Sequence, residues 1–116
     1  MHELTITQSV VEICVERAAR QSARTRVKQV TLEVGALAAV MPDALRFCFD
    51  ACARGTPVEG AELEIIEIPG RARCLDCASE VAVCGLFGTC ACGSSKLVLI
   101  AGEELRVKQM EVEECA

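Results

Sequence analysis

Nine cysteines and a single histidine are the residues of this 116-residue chain whose chemistry stands out. Five of the cysteines fall between positions 74 and 92, in the runs CLDC and CGLFGTCAC. Cys74 and Cys77 form a CxxC pair, and two thiolates at that spacing can share one side of a tetrahedral metal. Cys90 and Cys92 form a second, shorter CxC pair, and Cys84 lies between the two pairs as a stand-in. Two cysteine pairs within about 20 residues read as a zinc ribbon. Zinc is the favoured ion, with a rubredoxin-like iron site or no metal as the alternatives. The favoured ligand set is Cys74, Cys77, Cys90 and Cys92, with Cys84 open as a replacement for Cys90 or Cys92. A four-thiolate site has no position left for water, so such a metal holds structure and does no catalysis.

The one histidine, His2, stands beside the chain's first residue. That position offers a chelate. The terminal amine of Met1, the amide nitrogen of His2 and its imidazole close fused rings around one ion. The amide nitrogen of Glu3 can complete a planar four-nitrogen set, which suits Ni(II) or Cu(II). The chelate needs a free amine, and a bulky second residue favours retention of Met1.

The remaining pattern supplies elements to position these groups. Ile6, Val10, Ile13, Cys14 and Ala18 place an apolar stripe on a helix over residues 5–20, with Thr5 and Gln8 as a capping box. Cys14 lies in that stripe as a core thiol. VKQVTLEV at 27–34 alternates as a strand. Pro42 opens a second helix in which Leu45, Cys48, Phe49 and Cys52 share a face, so Cys48 and Cys52 read as packing residues. AELEIIEI at 61–68, LVLI at 97–100 and LRVKQMEVE at 105–113 are strand-like. The phase change in the last implies either a bulge near Lys108 or Gln109 or a strand buried on both faces. Residues 113–116 read as a frayed tail. The expected fold is α+β: a small three-stranded sheet with two helices and a zinc-ribbon module inserted before the last strand. The division falls at 1–69 with 104–116 for the first domain and 70–103 for the ribbon.

Composition narrows the function classes. The chain has no Trp, no Tyr and three Phe, so its core must come from small aliphatic side chains. A net charge of −5 argues against a nucleic-acid binder. Segment 71–100 is near neutral and offers Phe87 alone for base stacking, so a zinc-ribbon nucleic-acid or transcription module is the weaker alternative. An enzyme is weaker still, for want of an open metal site, a nucleophile triad or a phosphate loop. No signal peptide or membrane span is visible, which places the chain in the cytoplasm, where thiols stay reduced.

MHE at the start, TLEVG, PDALRFCFD, CLDC, CACGS and the terminal GEELRVKQMEVE together resemble the HypA/HybF family, nearly end to end. These are nickel-insertion accessory proteins of [NiFe]-hydrogenase maturation. The resemblance implies a nickel-binding α/β domain that contains the N-terminus, and a zinc-ribbon domain. It implies Ni(II) as transferred cargo, passed to the hydrogenase large-subunit precursor in concert with the GTPase HypB, and in some organisms dealings with urease accessory proteins. By the same match His2 is the nickel ligand, with Met1 and Glu3 giving terminal or backbone nitrogens and Glu3 its carboxylate as a further donor. Cys74, Cys77, Cys90 and Cys92 match the structural Zn(II) ligands. The chain departs from the family at the shortened CxC and in the 36–41 loop, where Ala36 and Met41 stand where acidic residues are common.

Overall fold

The computed structural model describes residues 3–84 and 88–115, so Met1, His2 and Phe87 lie outside the described residues. Eight elements follow in order: α1 (Glu3–Gln21), β1 (Thr25–Gly35), α2 (Pro42–Ala53), β2 (Glu62–Ile68), β3 (Arg71–Cys74), β4 (Glu80–Ala82), β5 (Leu97–Ala101) and β6 (Leu105–Glu114). They form two three-stranded sheets, ordered β2-β1-β6 and β4-β3-β5. The chain gathers into two compact units.

The first unit holds residues 3–32, 40–66 and 106–115. In α1 the buried side chains are Ile6, Thr7, Val10, Val11, Cys14 and Ala18, at the three- and four-residue spacing that lines one helical face. The buried stripe is shifted from the expected one: Ile13 is largely exposed and Thr7 is buried in its place. The expected capping box is also absent, because α1 already runs from Glu3 and Thr5 sits inside its first turn. Burial pushes the Cys14 thiol up to about 11, against a small opposing pull from Arg17, so this cysteine is an inert core residue.

In α2, Pro42 occupies the first turn, where its missing N–H costs nothing. Leu45, Phe49 and Ala53 are buried at four-residue spacing, while Cys48 and Cys52 are half-buried beside them. Val27, Val30, Leu32, Val58 and Leu63 complete this core.

The hydrogen bonds give the strand directions. Cys115 N–H donates to the Arg24 carbonyl just before β1 begins, and Gly35 N–H at its end donates to the Glu104 carbonyl, so β6 runs antiparallel to β1. Val27 N–H donates to the Pro57 carbonyl ahead of β2, and Ala36 N–H to the Ile68 carbonyl at its end, so β1 and β2 run parallel. With α2 as the crossover between them, this is a βαβ unit. The bond from Cys115 corrects the expected fray: the chain stays docked through that residue. β6 is an edge strand with no fully buried residue, which rules out burial on both faces. Its charged residues Lys108, Glu111, Glu113 and Glu114 suit an edge that must not pair with another chain.

The second unit holds residues 33–39 and 67–105. β3 is its central strand and pairs antiparallel with both β4 and β5, with an irregularity in the β5 register between Arg71 and Ala72. Glu80 bridges Arg71 and Arg73 across the exposed side. Three glycines allow backbone to touch backbone in this unit. A Cβ on Gly35 would lie 2.0 Å from the Gly102 carbonyl oxygen, and one on Gly70 would lie 2.4 Å from the Val83 oxygen. Gly102 also holds a left-handed φ of 118° while accepting a bond from Leu37 N–H. Gly35→Ala must therefore push β1 away from the 102–104 turn. We expect it to lower unfolding free energy by about 2–4 kcal/mol, read by urea denaturation; a loss below about 0.5 kcal/mol would contradict the close approach.

Candidate metal centre

Cys74 ends β3, and the turn that follows carries Cys77. The turn is built by backbone bonds: Ala78 N–H donates to the Cys74 carbonyl and Cys74 N–H to the Ser79 carbonyl, with Ala78 at a left-handed φ of 63°. The second turn repeats the plan one residue shorter. Gly93 N–H donates to the Cys90 carbonyl and Cys90 N–H to the Ser94 carbonyl, with Gly93 at φ 93°. In each case the residue after the second cysteine turns left-handed, and a serine follows. The CxC pair therefore closes as a tighter version of the CxxC knuckle. Leu75 N–H donates to the Lys96 carbonyl, which ties the first knuckle to the segment entering β5.

These turns bring four sulfurs together. The Sγ atoms of Cys74, Cys77, Cys90 and Cys92 all lie within 4.8 Å of one another. Cys74 and Cys92 are 3.6 Å apart, and Cys77 and Cys90 are 3.5 Å apart. A tetrahedron with metal–sulfur bonds of about 2.3 Å has edges of about 3.8 Å, so the cage fits one tetrahedral thiophilic ion with little adjustment. Cys84 is exposed and is not in this group, nor are Cys48 and Cys52.

The thiols are unequal. Hydrogen bonds from the Ser79 side chain and backbone, aided by the neighbouring thiols, bring Cys77 down to about 6. Cys74 is lowered chiefly by the Cys77 backbone N–H. The Ser94 backbone favours the Cys92 thiolate, but the thiols of Cys74 and Cys90 outweigh it and push Cys92 up to about 12. The cage thus gathers negative charge at the first knuckle, and a cation is what allows the last thiol to ionise. Sequence reasoning missed Ser79 and Ser94. The signal was present as a repeat, Cys-Ala-Ser at 77–79 and Cys-Gly-Ser at 92–94.

Of the residues expected at the nickel site, Met1 and His2 lie outside the described residues. Glu3 is the first residue of α1 and is partly exposed. Thr7 directs its hydroxyl back to the Glu3 carbonyl at 2.9 Å or the Leu4 carbonyl at 3.0 Å, and Cys52 Sγ sits 3.7 Å from the Thr7 hydroxyl oxygen. No helix among the described residues is long and apolar enough to cross a membrane.

A βαβ unit joined by its own strands to a small ribbon with a closed four-thiol cage defines a metal-binding protein with no free coordination position at that cage. Residues 1–112 match the family model described as HypA, hydrogenase/urease nickel incorporation, metallochaperone, and the chain belongs to that family. The hydrogenase maturation factor HypA of Trichormus variabilis is 54% identical over 114 residues, covering 98% of this chain and 97% of that protein. The one from Geobacter metallireducens is 53% identical over 114 residues, covering 97% and 100%. The fold matches the solution structure of the Ni metallochaperone HypA from Helicobacter pylori with a TM-score of 0.69 at 24% identity, over 96% of this chain and 97% of that one. A second HypA solution structure gives 0.72 at 24% identity, over 96% and 95%. The family is one of maturation factors, not enzymes.

Two outcomes follow from the cage. In metal-free protein at pH 7, iodoacetamide should alkylate Cys77 well before Cys92. Cys77 holds its proton only below about 6, so its labelling should fall as pH drops through that value. Mass spectrometry of partially labelled protein reads the order, and equal rates would contradict it. Separately, Ala78→Gly relieves a left-handed alanine and should stabilise the metal-loaded protein by about 1 kcal/mol, measured by thermal unfolding; destabilisation would show that the turn depends on the Ala78 side chain.

Proposed function

We propose that this chain binds one Ni(II) at its start and delivers it to the [NiFe]-hydrogenase large-subunit precursor during maturation, with HypB as the cooperating GTPase. Urease accessory proteins are a second destination that the family description leaves open. The nickel donors are the Met1 amine, the His2 amide and imidazole nitrogens and the Glu3 amide nitrogen. The structural ion is Zn(II), held by Cys74, Cys77, Cys90 and Cys92. The observation that carries this reading is the match to a nickel-incorporation family over residues 1–112, with the chain's only histidine at position 2.

The local physics of α1 supports it. The first four N–H groups of a helix have no partner within the helix. The Glu3 amide is among them, so giving it up as a donor breaks no helical bond. Two deprotonated amides also balance the charge of a divalent cation, so the loaded start is neutral before the Glu3 carboxylate is counted. The positive end of the helix dipole then exerts no penalty that a bare cation would meet. Loading removes amide protons, so nickel affinity should fall as pH falls. A partner can displace the nitrogens one at a time without opening a packed core.

In the ribbon, Zn(II) held by Cys74, Cys77, Cys90 and Cys92 would cross-link the two knuckles. Ser79 holds the Cys77 thiolate by hydrogen bonds, and the two left-handed turns aim the sulfurs inward.

Nickel titration of tag-free, zinc-loaded protein, followed by calorimetry and absorption, tests the reading. One Ni(II) per chain is expected, and His2→Ala should abolish it while leaving the zinc content unchanged. Nickel retained by His2→Ala with a sulfur-to-metal charge-transfer band would overturn the assignment.

A further inference from the structure

Four of the nine large hydrophobic side chains left exposed among the described residues belong to the ribbon: Leu75, Val98, Leu99 and Ile100. The last three are consecutive in β5, at 46%, 38% and 44% exposure, so they stand on both faces of the strand. β5 is also an edge, paired with β3 alone. The Leu75 N–H donates to the Lys96 carbonyl, which sets the phase of that ladder. Lys96 and Val98 turn their backbone groups to β3, and Leu99 turns its N–H and carbonyl outward. Among the described residues no backbone group answers them.

The other sheet edges are guarded. β2 carries Glu62, Glu64 and Glu67, and Arg46 donates to its Leu63 carbonyl. β6 carries Lys108, Glu111, Glu113 and Glu114. β4 is three residues long and begins with Glu80. β5 reads LVLIA, with no charge and no proline. Charge, shortness and covering are the devices that keep edges from chance pairing. A chain that uses them at three edges and omits them at the fourth leaves that edge open for use. Charge also selects what fits there. The ribbon strands with Lys96 carry three bases, Arg71, Arg73 and Lys96, against one acid, Glu80, in a chain of net charge −5. With Asp76 of the first knuckle the balance over 71–100 is still three to two. Both arginines share Glu80, at 3.4 and 3.6 Å, and the exposed Lys96 has no ion pair among the described residues.

We propose that β5 receives an extended, acidic and apolar segment of a partner protein as a further strand of the ribbon sheet, giving the order β4-β3-β5-partner. The segment's backbone pairs with the outward groups of Leu99. Its apolar side chains cover Val98, Leu99 and Ile100, and a carboxylate meets Lys96. In strand addition the main-chain bonds supply affinity and the alternating side chains supply selectivity. The site uses no metal ligand and goes beyond nickel delivery, so neither reading depends on the other.

The probe is a short soluble peptide of alternating valine and threonine with an aspartate at each end, added to isotopically labelled, zinc-loaded full chain and followed by NMR. The amide signals of β5 should shift together, and exchange of the Leu99 amide hydrogen should slow by about tenfold or more. The same peptide with methylated amides keeps its side chains, has no donors, and should not bind. Lysines in place of the two aspartates should weaken binding by about tenfold. Val98→Lys with Ile100→Lys should abolish it at unchanged zinc content and circular dichroism. If that pair loses zinc, Lys96→Glu takes its place and should weaken the aspartate peptide while strengthening the lysine one. No shift at millimolar peptide overturns the proposal, as do shifts confined to other elements, equal binding of the methylated peptide, or indifference to Lys96→Glu. So does a concentration-dependent mass that Val98→Lys with Ile100→Lys removes, because the edge would then be filled by a second copy of the chain.

Discussion

Convergence of four sulfurs is the constraint on which the second unit depends. Among its described residues the buried ones are Val34, Ala72, Cys74 and Cys90, with Gly35, Gly70 and Gly102, and none of these is larger than valine. Such a set cannot exclude enough water to offset the entropy of ordering some forty residues. The first unit differs. It buries Phe49, Leu32, Leu45 and a run of valines. A structural zinc contributes about 10–16 kcal/mol in ribbon-sized peptides, which is the scale that the missing core would otherwise have to supply. Among the described residues, half of the unit's buried side chains beyond glycine are themselves members of the cage. Core and metal site are one object here.

The same constraint explains the backbone around it. A cage of this size leaves no room for long connections, so each knuckle must reverse within a few residues. Both do so through a left-handed residue directly after the second cysteine. In the shorter knuckle that residue is glycine, which takes the conformation without strain. In the longer it is alanine, and two backbone bonds to the same turn hold it there. At Gly35, Gly70 and Gly102 backbone packs on backbone, with the Leu37 side chain against the last two.

Much of this was legible in the sequence. The four-residue spacing in α1 and α2, proline at the start of α2 and the alternation in β1 placed the elements, because each pattern reflects a single buried face. The cysteine spacing announced a four-thiol cage. Three readings failed for physical reasons. Thr5 resembled a cap because capping residues also occur inside first turns, and periodicity does not say where the first helical bond lies. Of the two explanations for the phase change in β6, a bulge or burial on both faces, the second fails because an edge strand in a small sheet has too little around it to bury either face. The tail at 113–115 looked frayed because its sequence is acidic, whereas the backbone bond from Cys115 to Arg24 depends on strand register, which no local pattern encodes. The role of Ser79 was hidden because it becomes visible only when the CAS and CGS repeats are set side by side.

A chain that must release one metal while keeping another has to stop the two from exchanging. In the arrangement proposed here, coordination geometry separates them. Affinity order alone would not, since Ni(II) and Zn(II) lie close together in it. The four cysteine sulfurs lie within 4.8 Å of one another, with two of the pairs at 3.5 and 3.6 Å, a spacing that one tetrahedral ion can span. Zinc has no preferred geometry of its own and accepts that shape. Four nitrogens in a plane suit nickel and serve zinc poorly. Charge works in the same direction. Four thiolates around a divalent ion carry two negative charges and hold it against loss, whereas two amides and two neutral nitrogens carry none in excess and can be reprotonated singly. The residues that would let nickel go are at a chain start, whereas of those that would hold zinc Cys74 and Cys90 are each held by backbone bonds through both N–H and carbonyl.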